Sequence, residues 1–436
     1  MKKWKIVGLV LCLLVLVLVL NLIRKQIPYR GAVEEHRQAG YPVTIGDFRE
    51  WYESPEPSEN ARSVFMEWEE PFWELEPEWD DYLIEEFFER DVETEQSLGL
   101  RRDIPQETLE ELGTRLDGQK EYLAQTEHAL SLPHFYVDIR SSEDLIELSS
   151  FSLFRQTARV FNGRALHQAV TGDIDGAVHS IGGMMAIGTH LNDVPLVKYS
   201  LVAGSIYPMG IDAMDWLIQS FELSDKQLRE LATQLDVAEK SIQPTRYAIG
   251  DIVNQLAFLD APTDYAVVNW LARVCGSVST FEDEELNEAM DYDKRAGWLR
   301  DARDWILSLE NDPFGTLHRD HLELRRSDGS KPLFFDIRST RRAVSACGDT
   351  IGRLRSARLG IHIERYRLKH GELPSKLSDL VPEFIPEPID DPFKKEAYEY
   401  EILADGFRVG NKEGFQSIDE NKRVYGGISF EIRYRR

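Results

Sequence analysis

The chain has 436 residues, 42% of them hydrophobic, and a formal net charge of −25. That length supplies roughly two or three domains' worth of core. The charge excludes nucleic acid as a partner, because a DNA or RNA binder needs a basic patch to displace counterions.

The first stretch with a clear physical meaning is Ile6 to Ile23, IVGLVLCLLVLVLVLNLI, apolar except for Asn21. About 18 residues at 1.5 Å each span roughly 27 Å, close to the ~30 Å hydrocarbon core of a bilayer. A cleavable signal peptide would carry a shorter apolar region and a small-x-small cleavage site. Residues 21–30 read NLIRKQIPYR and offer none, and Cys12 lacks the small residues that precede a lipidated cysteine. The stretch is therefore expected to be an uncleaved transmembrane anchor. Lys2, Lys3 and Lys5 precede it and Arg24, Lys25 and Arg30 follow it. The leading lysines favour a cytoplasmic N-terminus and a translocated body. A body in the cytoplasm is the alternative.

Residues 26–60 hold Pro28, Pro42, Pro55 and Pro57 and read as a juxtamembrane stalk, with one short helix around Val33 to Ala39. Residues 61–330 read as an α-helical domain. It opens on an acidic run studded with Trp68, Phe72, Trp73, Trp79, Tyr82, Phe87 and Phe88, rings that call for burial on helices. An aromatic ligand groove is the alternative use of these rings. An amphipathic helix is expected over Gln106 to Leu130, and another over Asp144 to Val170. Thr171-Gly172-Asp173 stops the second and caps the next, which runs to about Leu191. Pro195 to Phe221 forms a further helix, and Ser224 caps Asp225 to Ala238. The sequence ALHQAVTGDIDGAVHSI, Ala165 to Ile181, resembles one tetratricopeptide-like hairpin, without tandem copies at a ~34-residue period. Tyr265 to Val274 and Glu284 to Leu309 are helical in pattern. A domain boundary falls near Ser327 to Leu333.

From Arg341 the pattern changes. Val344, Cys347, Ile351, Leu354, Leu359, Ile363 and Tyr366 mark a long helix that stops at Gly371. Tyr398 to Ile402 alternates, Ala404-Asp405-Gly406 is a hairpin turn, and Phe407 begins a return strand. Tyr366-Arg367 with Gly371 and Pro374, then Leu377, Leu380 and Pro382, then Asp391-Pro392-Phe393 and the strand pair, resemble the globular part of type II secretion major pseudopilins. The resemblance covers residues 341–436. It implies a small α+β module in a bacterial envelope protein, and in that family a calcium ion in the C-terminal loop. The matching acidic residues are Glu413, Asp419 and Glu420, to be set against the six to eight oxygens that calcium takes. Gly8 is not followed by the acidic start of a pilin helix, and over 300 residues part the anchor from the long helix, so no filament is expected.

The fold class expected is mainly α: an anchor over 1–25, a helical-hairpin body, and a small α+β module. Chemistry is hardly legible. His318-Arg319-Asp320 resembles a kinase catalytic loop but has none of its companions. His318 and His321 are too few for a metal alone, and His167, His179 and His190 read as surface or satisfied polar residues. No nucleophile elbow, P-loop or dinucleotide fingerprint occurs. Three cysteines form no disulfide framework; Cys275 and Cys347 read as small buried hydrophobes, with a bond between them as the alternative. The expected role is a non-enzymatic interaction or scaffold protein of the inner membrane with an unidentified protein partner. An extracytoplasmic hydrolase and an accessory secretion component are the rivals.

A reporter enzyme active only outside the cytoplasm, fused after Arg436, is expected to be active. Removing residues 1–25 is expected to shift the chain from the membrane to the soluble fraction. A silent fusion overturns the topology, and a truncated chain that stays on the membrane overturns the anchor.

Overall fold

A computed structural model describes residues 26–74, 88–90, 97–100, 104–140, 151–260, 292–313, 315–316, 337–393, 396–412 and 428–434. The expected anchor, Cys275, His318, His321 and the calcium candidates Glu413, Asp419 and Glu420 lie outside these residues. No helix among the described residues is long and apolar enough to cross a membrane. The described chain is mainly helical, with a small three-stranded antiparallel sheet near its C-terminal end.

The segment expected to be a stalk is instead folded into the body. Residues 26–38 form helix α1, and Ile45–Trp51 forms α2, capped by Thr44, whose side chain accepts from Asp47 N–H. Ala32, His36, Tyr41, Val43, Phe48 and Tyr52 are buried. The prolines suggested a loop, but the aromatic and aliphatic residues between them have enough apolar area to dock. Glu35 clamps α1 to a later helix through Arg300 (3.1 Å) and Arg303 (2.9 Å). Hydrogen bonding from Arg300, helped by Arg303, holds the Glu35 carboxyl below its usual range despite partial desolvation.

Ala61–Glu67 (α3) and Glu69–Glu74 (α4) begin the acidic aromatic run. Phe72 is buried 4.6 Å from the Tyr122 ring, as expected for a core residue. A two-stranded hairpin follows, Phe88–Arg90 (β1) with Ser97–Leu100 (β2), where helix was expected. Ser-Leu-Gly-Leu alternates at period two, which favours a strand. The helix expected over Gln106 to Leu130 is two helices, Gln106–Gly118 (α5) and Lys120–Ser131 (α6). Asp117 and Gly118 are poor helix formers, and Gln119 leaves helical geometry with its side chain buried.

Phe151–Val170 (α7) and Ile174–Leu191 (α8) form an antiparallel hairpin. Its turn is the expected one. Gly172 sits at φ +92°, open to glycine at no steric cost, and Asp173 accepts from Gly176 N–H at 2.9 Å. Val197–Ser220 (α9) and Asp225–Ser241 (α10) pack on α8. Pro244–Asp260 (α11) and Tyr292–Asn311 (α12) follow. Gly250 of α11 passes so close to the chain at Pro195 that a Cβ would collide with the Pro195 carbonyl oxygen.

Ile337–His370 is α13, 34 residues or about 51 Å of helix. It ends where expected, at Gly371 with φ +80°. The strands Glu399–Leu403 (β3), Gly406–Gly410 (β4) and Ser429–Arg433 (β5) make the sheet in that order. The third strand adds to the expected pair through Phe407 opposite Ile432 and Val409 opposite Phe430. These four side chains are buried. Gly348, Gly352 and Gly360 of α13 let Phe393, Ile428 and Phe430 approach its backbone. Asp391 fixes the Asp-Pro-Phe turn: it accepts from Phe393 N–H (2.8 Å) and Asn411 Nδ2 (3.0 Å). Helix α13 also packs on α9, α10 and α11, and one buried cluster runs from Ala32 to Ile432.

Gly250→Ala is expected to lower stability by about 2–3 kcal/mol, since carbonyl backbone cannot yield as a side chain can. Gly297→Ala on α12, where a Cβ meets nothing within 4 Å, is expected to raise it by about 0.5–1 kcal/mol. Urea unfolding of both variants checks the pair; equal effects would contradict the close approach.

Candidate functional site

The site candidate is a cleft of about 850 Å³ where α10, α13 and residues 384–390 meet. Its polar groups come from two helices with matched spacing. Ser224 starts α10 with a reciprocal capping box with Gln227. That start sets Leu228, Leu231, Leu235 and Ala238 into the core. Arg229, Thr233, Asp236, Glu239 and Lys240 then fall along the cleft. On α13, Arg355, Arg358, His362 and Arg365 stand at i, i+3, i+7 and i+10, one side of a helix. The third wall is Phe384 to Asp390, FIPEPID. The Leu377–Leu380 turn of 3₁₀ helix brings it back, with Phe384 and Ile385 N–H both donating to the Leu380 carbonyl.

The two helices are joined by ion pairs that are largely shielded from water. Arg355 Nε donates to Glu239 Oε1 at 2.7 Å, and Arg355 also donates to the Asp390 carbonyl at 2.8 Å. Arg358 reaches Asp236, and its other terminal nitrogen lies 3.0 Å from Glu239 Oε2, an ion pair without hydrogen-bond alignment. Arg365 Nε donates to Asp225 Oδ1 at 2.8 Å. Burial alone would raise the Asp225 carboxyl; hydrogen bonds from Arg365 and Arg229 outweigh it and hold the group below its usual range. The Arg365 guanidinium also lies 5.5 Å from the centre of the Phe384 ring.

His362 is the distinctive member, only 8% exposed. A terminal nitrogen of Arg365 lies 3.2 Å from His362 Nδ1. Guanidinium has no acceptor, so Nδ1 must accept and the proton of the neutral ring sits on Nε2. Burial, then the charges of Arg365 and Arg358, push this imidazole down to about 3. The ring is therefore neutral at pH 7 and a weak base.

Other sequence candidates stand elsewhere. His179 is exposed, 3.5 Å from Glu127. Both ring nitrogens of His190 lie 3.0 Å from carbonyl oxygens, those of Ala186 and Leu132. His167 lies beside Gly113. His179 is thus a surface side chain and His190 a satisfied one, while His167 is half-buried. Cys347 is buried on α13 beside Ser200 Oγ, and burial pushes its thiol up to about 11, so it is no nucleophile. No group of three or more His, Cys, Asp or Glu is placed to hold a metal among the described residues. The arginine row went unread in the sequence, although its spacing is plain once the helix is known. Comparisons with protein-family models, curated proteins and solved structures give no match.

His362 and His36 give the fold an acid-side weakness. His36 is fully buried, both its ring nitrogens lack a hydrogen-bond partner, and burial with Arg303 pushes it down to about 4. Each ring is neutral when folded, while the unfolded chain takes up its proton near pH 6.5. Stability is therefore intact above about pH 6.5 and falls as pH drops toward 3–4, by up to about 1.4 kcal/mol per pH unit for each histidine. Urea midpoints between pH 7 and 4 are expected to fall less steeply in His362→Phe than in the parent. Parallel curves would contradict the assignment.

Proposed function

We propose that this chain is a membrane-anchored interaction protein of a bacterial inner membrane, with a cytoplasmic N-terminus, an extracytoplasmic body and no turnover of its own. On this reading α7–α8 is a tetratricopeptide-like hairpin, the region from residue 341 is a pseudopilin-like module, and a partner protein docks at the cleft where that module meets α10. The observation that supports the reading is the geometry of the cleft, where Arg355, Arg358, His362 and Arg365 form one row against the acids of α10, with Phe384 to Asp390 as the third wall. A general base works best with a pKa near the operating pH, and this imidazole sits at about 3. The cleft has the size of a ligand site, and its most buried titratable group is held as a neutral hydrogen-bond donor. Those are properties of a recognition surface. The surrounding arginines fix planar donors in place, which suits recognition of an acceptor-bearing partner.

The test is site-specific photocrosslinking in intact membranes. A crosslinker at Glu387, on the cleft wall, is expected to capture a protein that a crosslinker at exposed Glu401 of β3 does not. The capture is expected to vanish in Arg358→Glu with the chain still folded. Equal capture from both positions, or capture that survives Arg358→Glu, overturns the assignment of the cleft.

A further inference from the structure

Helices α1 and α12 lie side by side and run the same way. Their partners rise together along the two chains. The Arg295 guanidinium lies 5.8 Å from the centre of the Tyr29 ring, and Glu35 pairs with Arg300 (3.1 Å) and Arg303 (2.9 Å). Just past α1, Tyr41 stands beside Glu310. The two helix starts, at Gln26 and Tyr292, therefore share one end of the body. Ala32 and His36 of α1 belong to the buried interior, so α1 moves with the body and is no loose stalk.

The chain enters that end from Ile23, the last residue of the apolar stretch. From Ile23 to Ile27 the chain can reach about 6 Å as helix and at most about 14 Å fully extended. The headgroup layer of a bilayer is about 5–8 Å deep on each side of the hydrocarbon. With residues 6–23 as the anchor, Ile27 can stand at most about 9 Å clear of the headgroups. Ile27 is 60% exposed, the most exposed large hydrophobic side chain among the described residues. Residues 24–30 carry Arg24, Lys25 and Arg30 and no acid. Residues 292–300 carry Lys294, Arg295 and Arg300 against Asp293. Acids crowd residues 282–291 just before them, outside the described residues, so the apolar side chain and not net charge decides the contact. Farther along α1 the exposed side chains are Glu34, Arg37 and Gln38, all polar. The apolar exposure is confined to the first turn, which suits a helix that meets a bilayer end-on and not along its side.

The geometry points to a phospholipid surface as the partner of this end of the body: the shared start of α1 and α12 rests on the headgroup layer, with Ile27 inserted and Arg30 reaching lipid phosphate. This rests on the reading of residues 6–23 as an anchor and adds which face of the body meets the bilayer. It also sets a direction. Helix α12 rises from the surface, so exposed Gly297 lies near the lipid and exposed Asn311 stands about 21 Å farther along the same helix.

The test places a fluorescent amino acid at Gly297 or at Asn311 of the full chain. The chain is reconstituted in vesicles of phosphatidylethanolamine and phosphatidylglycerol in equal parts, with a nitroxide on some headgroups. Quenching is expected to be several-fold stronger at Gly297 than at Asn311. Ile27→Asp, at a position exposed enough for the fold to tolerate it, is expected to cut the quenching at Gly297 about twofold. Ile402→Asp, equally exposed but on β3, is expected to leave it unchanged. Equal quenching at the two positions, stronger quenching at Asn311, or quenching at Gly297 that ignores Ile27→Asp overturns the inference. A chain that floats with the vesicles yet is quenched equally at both positions sinks this contact and leaves the anchor standing. A chain that does not float sinks the anchor and the contact together.

Discussion

Helix α13 must satisfy two unlike neighbours along one length. Toward the sheet it presents glycines, so that Phe393, Ile428 and Phe430 rest on its backbone. Toward α10 it presents long basic side chains that pair with acids along the edge of the contact. A helix can do both because residues three and four apart share a side, and a shift of one residue moves a side chain by about 100°. The rotation of α13 about its axis is thereby fixed from both sides. Leu354, Leu359, Ile361 and Ile363, all buried, fill what remains between.

The cleft follows from that arrangement. Arg355, Arg358 and Arg365 reach Asp225, Asp236 and Glu239 along one edge of the packed α10 and α13 pair, and Phe384 to Asp390 supplies the third wall of the cavity there. Shielded ion pairs of this kind add little net stability, because desolvation offsets most of the attraction. Their effect is on arrangement: a carboxylate left without its arginine costs more than the pair contributes, so alternative registers of the two helices are penalised. The same neighbours hold His362 in one tautomer. In a chain with a formal charge of −25, the cleft lacks the excess of acid that the chain as a whole carries.

What the sequence disclosed was mostly punctuation. Gly172-Asp173, Ser224, Gly371 and the Ala404-Asp405-Gly406 turn act through local backbone chemistry, which neighbours in the chain determine. The break at Gln119 and the docking of residues 26–60 depend on tertiary burial, and no window of sequence contains it. The cleft was illegible for a related reason. Arg355, Arg358 and Arg365 look like the solvated side of a helix until the acids of α10, over 100 residues earlier, are placed opposite them. Dividing the chain near residue 330 also hid the interface, since the arginines and their acids fell in separate units.

Strand β5 closes over groups made much earlier. Ile428, Phe430 and Ile432 complete the cover of α13 and lie next to α9, which begins at Val197. At ribosomal rates of roughly 5–20 residues per second, between about ten seconds and most of a minute separates the synthesis of Val197 from that of Phe430. During that interval the oily flank of α9 has no lid of its own. That flank of the nascent chain therefore stays incompletely packed until its tail emerges.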